Sequence, residues 1–337
     1  MRITTGAIAA AEDRIRRHVV RTPLVSAEAL SDRLGCELLV KPETLQPTGS
    51  FKIRGATNAL LRLDDAGRAR GVVTASSGNH GPALARAARR LGVTCMVCLS
   101  EMVPDNKVAN VKRNGGTVVI AGRDYDAAVY EARRLADEAG MILIPPFDHP
   151  DVVAGAGTVG LEIMADAPNV DTILVPLSGG GLLAGVAIAA KAASETVRVI
   201  GVSMENGASM HESLRAGHPV DVTESESLAD ALGGSIGLDN RWTFPSVRDL
   251  VDATVLVGEA TIAEALRRLF FDVGLVVEGA GAVGLAALLS GAVPNPGSRV
   301  VTIASGRNVD MALFVGLMAV EGDADLPVTS NASARTR

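Results

Sequence analysis

Apolar and polar positions along this chain follow two periods in turn. Short aliphatic runs such as Gly71-Val72-Val73-Thr74-Ala75 and Thr172-Ile173-Leu174-Val175-Pro176 have strand length and end in glycine-rich or polar turns. Longer stretches repeat apolar residues at the three-to-four spacing of a helix. The pattern predicts helix 5–17, strand 37–41, helix 53–64, strand 71–75, helix 82–91, strand 94–99, helix 106–114, strand 117–121, helix 125–139 and strand 141–144. After Pro145-Pro146 a second series begins: helix 157–167, strand 172–176, helix 182–193 and strand 197–202. A loop-rich segment, 206–240, precedes strand 251–257, helices 260–271 and 281–289, and strand 299–303. Strands alternating with helices predict an α/β fold of open parallel sheets. The stretch 321–337 is polar and aperiodic and is expected to be disordered. No internal repeat is visible and no appended regulatory domain is expected.

Composition refines this picture. At 337 residues the chain exceeds the size at which single cores stop growing, so two lobes are expected. Hydrophobic residues make up 47%, with 36 glycines but only six Phe, two Tyr and one Trp, a mix suited to buried parallel strands covered by helices. The formal charge of −6 argues against a nucleic-acid partner. Met1-Arg2-Ile3-Thr4-Thr5-Gly6 lacks an apolar leader core, so no secretory signal is expected. The uncharged stretch 172–190 is long enough for a short span, but Pro176 and Gly179-Gly180-Gly181 would break a spanning helix, so no membrane partner is expected. Cys36, Cys95 and Cys98 are an odd set that fits a reducing cytoplasm. Cys95 and Cys98 fall in one strand, where i and i+3 face opposite sides, which favours buried small hydrophobes over a redox pair.

The candidate chemistry begins at Lys52. Gln46-Pro47-Thr48-Gly49-Ser50-Phe51-Lys52 reads as a turn opening into a helix. A helix start favours anions, and burial also disfavours a cation. Both favour the neutral amine, the nucleophile for a Schiff base. The plain alternative is a solvated lysine. Three polar or glycine-rich turns follow predicted strands. Ser76-Ser77-Gly78-Asn79-His80-Gly81 is suited to a carboxylate, or is an ordinary capped turn. Ser178-Gly179-Gly180-Gly181, leading into Leu182, reads as a phosphate cradle. Two other readings stay open there: helix packing, or a loosened dinucleotide loop through Gly185 with Glu205 as the acidic partner. Ser305, in Ala304-Ser305-Gly306-Arg307-Asn308, stands at a strand end where open sheets bind ligands, though such a serine also caps turns. His80 has no second ligand at metal spacing, so no catalytic metal is expected. His211 and His218 read as surface residues.

Together these segments resemble the serine/threonine dehydratase family of pyridoxal-phosphate enzymes, with the tryptophan synthase β-like fold (fold type II). The resemblance spans about residues 5–320. It is carried by Gly49 through Ala56, Ser76 through Gly81, Asp151 through Thr158, Ser178 through Gly181, and Ser305 through Asn308, in the family's order. It implies a large lobe from 1–70 and 148–320, with a small mobile lobe, 71–147, inserted. It also implies that Lys52 forms the Schiff base with pyridoxal 5'-phosphate and that Phe51 packs near the ring. Asn79 would bond the ring's phenolic oxygen. Ser178, Gly179, Gly180, Gly181 and Leu182 would hold the phosphate, Ser305 would partner the pyridine nitrogen, and Glu278 would lie near the ring. Ser76, Ser77, Gly78 and His80 would line the substrate-carboxylate loop.

The implied reaction is α,β-elimination of water from a β-hydroxy amino acid. Lys52 would act as the Cα base, and Ser77 on the opposite face would allow racemase activity. The implied assembly is a homodimer or homotetramer. Two departures stand out. The acidic residues by which some relatives bind a divalent cation are replaced in Ser203-Met204-Glu205-Asn206-Gly207-Ala208-Ser209, so no structural metal is expected. The family's glycine pair after the serine is Gly306-Arg307, and Arg307 beside the cofactor would read an extra substrate carboxylate or point outward. That form, with Pro145 through His149 and Leu232 through Arg241, is most similar to the hydroxyectoine-utilisation dehydratase branch. The rival readings are a nicotinamide oxidoreductase built on Gly179–Gly185, and a non-enzymatic sensor on the same scaffold.

Overall fold

The computed structural model describes residues 2–319, and the tail 321–337 that the sequence marks as disordered lies outside them. Among the described residues there are ten strands: β1 (Val25–Ser26), β2 (Glu37–Pro42), β3 (Val72–Ala75), β4 (Cys95–Leu99), β5 (Thr117–Ile120), β6 (Ile142–Leu143), β7 (Thr172–Pro176), β8 (Arg198–Met204), β9 (Ala253–Val257) and β10 (Arg299–Ala304). They form two sheets, ordered β1-β2-β10-β7-β8-β9 and β5-β4-β3-β6. Every pairing is parallel except β1 with β2. The larger sheet takes strands from both ends of the chain, and the smaller is built wholly from its middle.

Both faces of each sheet are covered, as parallel sheets require. In β7, Ile173 and Val175 enter one apolar cluster while Leu174 enters the other. In β4, Cys95 and Cys98 likewise fall in different clusters on opposite faces. Both are buried, unpaired thiols, pushed up by burial to about 12 and about 11. The stretch 172–190 is β7, a turn and the start of helix Gly181–Ala193. No helix among the described residues is long and apolar enough to cross a membrane.

The structure differs from the pattern in places with physical causes. The helix expected from 157 begins at Pro150 and runs to Asp166, with His149 as its cap: His149 Nδ1 accepts from Asp151 N at 3.2 Å. Its glycines, poor helix formers, are needed for packing. A Cβ on Gly155 would lie 2.7 Å from Gly55 Cα, and one on Gly157 would lie 2.9 Å from Gly185 O. Three helices thus meet backbone to backbone: Lys52–Leu61, Pro150–Asp166 and Gly181–Ala193. The segment 206–240 holds helix Ser209–Ala216, and helices Glu28–Leu34, Thr243–Leu250 and Met311–Ala319 are further additions.

Candidate active site

The helix Lys52–Leu61 is tied to the end of β10 before it starts. Phe51 N donates to Ser305 O at 3.0 Å and Arg307 N donates to Gly49 O at 2.8 Å, so 49–51 runs antiparallel to 305–307 with Ser50 opposite Gly306. Gly49 has φ 73°, which a side chain would strain. This lock brings Lys52 and Ser305 to one place. Both line a cavity of about 730 Å³ at the carboxyl ends of the strands, the usual ligand position in open sheets.

Lys52 Nζ donates to Pro146 O at 2.8 Å and lies 5.2 Å from the Phe51 ring centroid. Loss of water around it brings its pKa down to about 8, an effect only partly opposed by the charge of Glu278. Glu278 is buried, and burial, followed by Asp230, pushes its carboxyl up to about 7. It accepts from Asn79 Nδ2 at 2.6 Å.

Across the cavity, Ser178–Gly181 leaves β7 and opens helix Gly181–Ala193, whose first N–H groups have no partner within the helix. Gly180 has φ 83°. A Cβ on Gly179 would sit 2.4 Å from the Phe147 ring, so this glycine admits Phe147 beneath the turn. Leu182 also lines the cavity. A helix start with bare backbone suits a phosphate, and a low-pKa lysine facing it suits an aldehyde. With Ser305 buried in the same cavity wall, these groups fit a phosphorylated pyridine aldehyde such as pyridoxal phosphate.

The turn after β3 supplies the remaining wall. Ser76 Oγ accepts from Gly81 N at 3.2 Å and so serves the turn itself. Ser77 and Gly78 are exposed to the cavity. His80 is buried, with Nε2 3.1 Å from the carbonyl of Ile144 and no partner at Nδ1. Burial and then the Lys52 charge push its pKa down to about 3. The ring is therefore neutral. Because a carbonyl only accepts, Nε2 carries the proton, and Nδ1 offers a lone pair. His80 thus lines the cavity as a neutral ring.

Of the two readings of Arg307, the geometry favours the outward one: its Nη1 donates to the Thr44 carbonyl, and the side chain does not line the cavity. The dinucleotide reading also loses its parts. A Cβ on Gly185 would lie 2.6 Å from Gly157 N, so that glycine serves helix packing, and Glu205 is not in the cavity wall. Among the described residues no three His, Cys, Asp or Glu side chains gather as metal ligands. Sequence reasoning missed Tyr125, Lys107, Glu224 and Glu226 in the wall. Burial, then Asp126 and Glu224, push the Tyr125 hydroxyl up to about 12. Only the glycines and serines of 225–235 hinted that this irregular segment had a task.

Known proteins resemble this chain over most of its length. The family model described as "Pyridoxal-phosphate dependent enzyme" matches residues 15–306. A Sinorhizobium fredii protein, provisionally named a threonine dehydratase, is 51% identical over 311 residues, covering 92% of this chain and 94% of its own. An L-threonine ammonia-lyase of Geobacter sulfurreducens is 43% identical, over 89% of this chain and 74% of its own. The structure of maize serine racemase superposes with a TM-score of 0.89 at 36% identity, over 94% of this chain and 97% of its own. The chain belongs to the pyridoxal-phosphate-dependent enzyme family, within its serine/threonine dehydratase group, and is an ammonia-lyase-type enzyme with pyridoxal phosphate as its cofactor.

Proposed function

We propose that the enzyme removes water from a short β-hydroxy amino acid, threonine or serine, releasing a 2-oxo acid and ammonia. The observation that carries this is Lys52: an amine with its pKa near 8, facing a phosphate-type cradle and a buried serine in one cavity. Bound pyridoxal phosphate supplies an electron sink for the substrate's Cα. The chain supplies the rest. Ser178–Gly181 and Leu182 would hold the phosphate. Ser305 would partner the pyridine nitrogen with a hydroxyl rather than a carboxylate. Asn79 would donate to the ring oxygen. Lys52 Nζ, neutral in part at pH 8, would take the Cα proton. Ser77 and Gly78 would receive the substrate carboxylate.

The walls support a substrate with one carboxylate. Arg307 is turned away, Lys107 is paired to Asp230 at 2.9 Å, and Glu224 and Glu226 stand at the mouth. Among the described residues, a second carboxylate, as in 3-hydroxyaspartate, would meet no unpaired cation in the wall besides Lys52. Incubation with threonine, serine, 3-hydroxyaspartate and a β-hydroxy product of hydroxyectoine breakdown, following ammonia and 2-oxo acid, tests this. Threonine and serine should lead, and fastest release from 3-hydroxyaspartate or from the hydroxyectoine product would overturn the substrate reading. Racemase activity is a second reading, favoured by Ser77 standing free in the cavity and by the likeness to serine racemase. Chiral analysis of recovered serine checks it: no D-serine excludes it.

The two separate sheets support a lobe of 1–70 with 148–320 and an inserted lobe of 71–147. First proteolytic cuts near residues 70 and 147 are expected, and cuts elsewhere speak against that division. The exposed Met311, Leu313 and Val315 support a homo-oligomer with this helix at its interface. Light scattering should give a dimer or tetramer that Leu313→Glu dissociates, and a monomer would contradict it. Three buried, unpaired cysteines support a cytoplasmic location, and fractionation of cells is the check.

A further inference from the structure

Asn79 is reached from two sides. Its Nδ2 donates to Glu278 Oε1 at 2.6 Å, and its Oδ1 accepts from Asn308 Nδ2 at 2.6 Å. The same Asn308 Nδ2 donates to the carbonyl of Thr48 at 2.9 Å. The two ends force the direction of this chain of bonds. A backbone carbonyl only accepts, so Asn308 must turn its NH₂ toward Thr48. That NH₂ also faces Asn79, and two NH₂ groups cannot bond, so Asn79 presents its oxygen there. The NH₂ of Asn79 is thereby left on the side of Glu278. One N–H is used on that carboxyl, and the other remains for the cavity that Asn79 lines.

The surrounding backbone is shaped around this relay. A Cβ on Gly306 would lie 2.1 Å from Glu278 Oε1 and 3.2 Å from Asn79 Nδ2, and a Cβ on Gly49 would lie 2.7 Å from Asn308 Oδ1. Arg307, which departs from the family's glycine pair, is pinned through its backbone N to Gly49 O and through its side chain to Thr44 O. Its neighbour Asn308 is thereby held in place.

We propose that Asn308 is a positioning residue that acts through Asn79: by donating to Asn79 Oδ1, it keeps an N–H rather than an oxygen aimed at the cofactor's ring oxygen. This rests on the reading of Asn79 as the partner of that oxygen. Asn308 is exposed on its outer side, where a second cavity of about 410 Å³ opens, so water competes for its bonds. The expected effect is therefore that of one hydrogen bond and not of a collapsed site.

The test titrates cofactor-free protein with pyridoxal phosphate, for the wild type, Asn79→Ala, Asn308→Ala and Asn308→Asp. It reads the dissociation constant, the absorption maximum of the bound cofactor, and the melting temperature of the cofactor-free protein. Asn308→Asp puts an acceptor against Asn79 Oδ1 and so drives the amide to turn. It should weaken binding about ten-fold and move the absorption band as Asn79→Ala does. Asn308→Ala, which only releases the amide, should weaken binding by a factor of about three. Melting temperatures should stay close to the wild type, and if Asn308→Asp does not fold, Asn308→Ala decides. Wild-type affinity and band in the Asn308 variants, beside a clear loss in Asn79→Ala, would overturn the role of Asn308 and leave that of Asn79 standing. Unchanged affinity and band in Asn79→Ala would overturn the reading of Asn79 and the proposal with it.

Discussion

Lys41 and Lys52 bracket one short stretch of chain and sit in opposite electrostatic settings. Lys41 is fully buried at the end of β2, where its Nζ donates to Glu162 Oε2 at 2.7 Å and to Thr22 O at 2.6 Å. Glu162 also meets Arg54 Nη1 at 2.7 Å, and Arg54 grips Glu43 through Nε at 2.8 Å and Nη2 at 2.7 Å. Two cations and two carboxylates are thus closed off together, and every one has a partner of opposite sign. Burial pulls the Lys41 ammonium down, while Glu162 and Glu43 pull it back. Lys52 is less buried, yet it has a carbonyl for a partner, and the acid near it, Glu278, is itself pushed toward neutrality. Desolvation there goes largely unopposed. Burial alone therefore does not make a lysine reactive. What matters is whether burial comes with an anion.

Exchanging the two lysines' functions is the strongest way to break this contrast. Lys52→Ala should lower turnover by at least about 10³-fold while circular dichroism and melting temperature stay near the wild type. Lys41→Ala should do the reverse. It leaves an excess buried negative charge and should cost about 3–5 kcal/mol of stability in urea unfolding, with turnover per folded molecule retained. Equal stability losses in the two variants would contradict the distinction.

A second variant pair sharpens the structural half. Lys41→Met with Glu162→Met removes one charge of each sign and leaves Arg54 paired to Glu43. The double variant should be less destabilised than either single one, because the lone buried charge is what costs most. Purely additive losses would show that packing, not charge balance, governs this region.

The pH dependence of the amines is a smaller but cleaner contrast. A free lysine is half neutral only near pH 10.4. Below its pKa of about 8 Lys52 is protonated and unreactive, and above it the neutral amine dominates. Labelling of cofactor-free protein with an amine reagent, read by mass spectrometry, should be half-maximal for Lys52 near pH 8. Lys41 should stay unlabelled throughout. The smallest effect is expected for Arg307→Gly, which should change the rate ratio between threonine and 3-hydroxyaspartate by less than about two-fold, since its side chain lies outside the cavity.

Much of the site was legible because its chemistry is local. A lysine at a helix start, a triple glycine after a strand and a serine at a strand end each declare themselves within ten residues, and the structure joins them in one cavity. The parallel sheets were legible for the same reason, since their strands are short apolar runs between turns. What escaped depends on distant partners. Helix Pro150–Asp166 hides behind glycines whose reason is contact with Gly55 and Gly185. The sequence gives no sign that Lys41 and Glu43 belong to one buried charge cluster, because Glu162 and Arg54 come from two other helices. The wall from Glu224 to Ser235 has no period to follow, and Arg307 needed a carbonyl from far along the chain to fix where it points.

The central claim is that Lys52, and no other lysine, holds the cofactor. Protein loaded with pyridoxal phosphate is reduced with borohydride, digested and mapped by mass spectrometry. The expected result is one pyridoxyl adduct, on the peptide that carries Lys52, with Lys41 and Lys107 unmodified. An adduct on either of those lysines, or none on Lys52, would contradict the account.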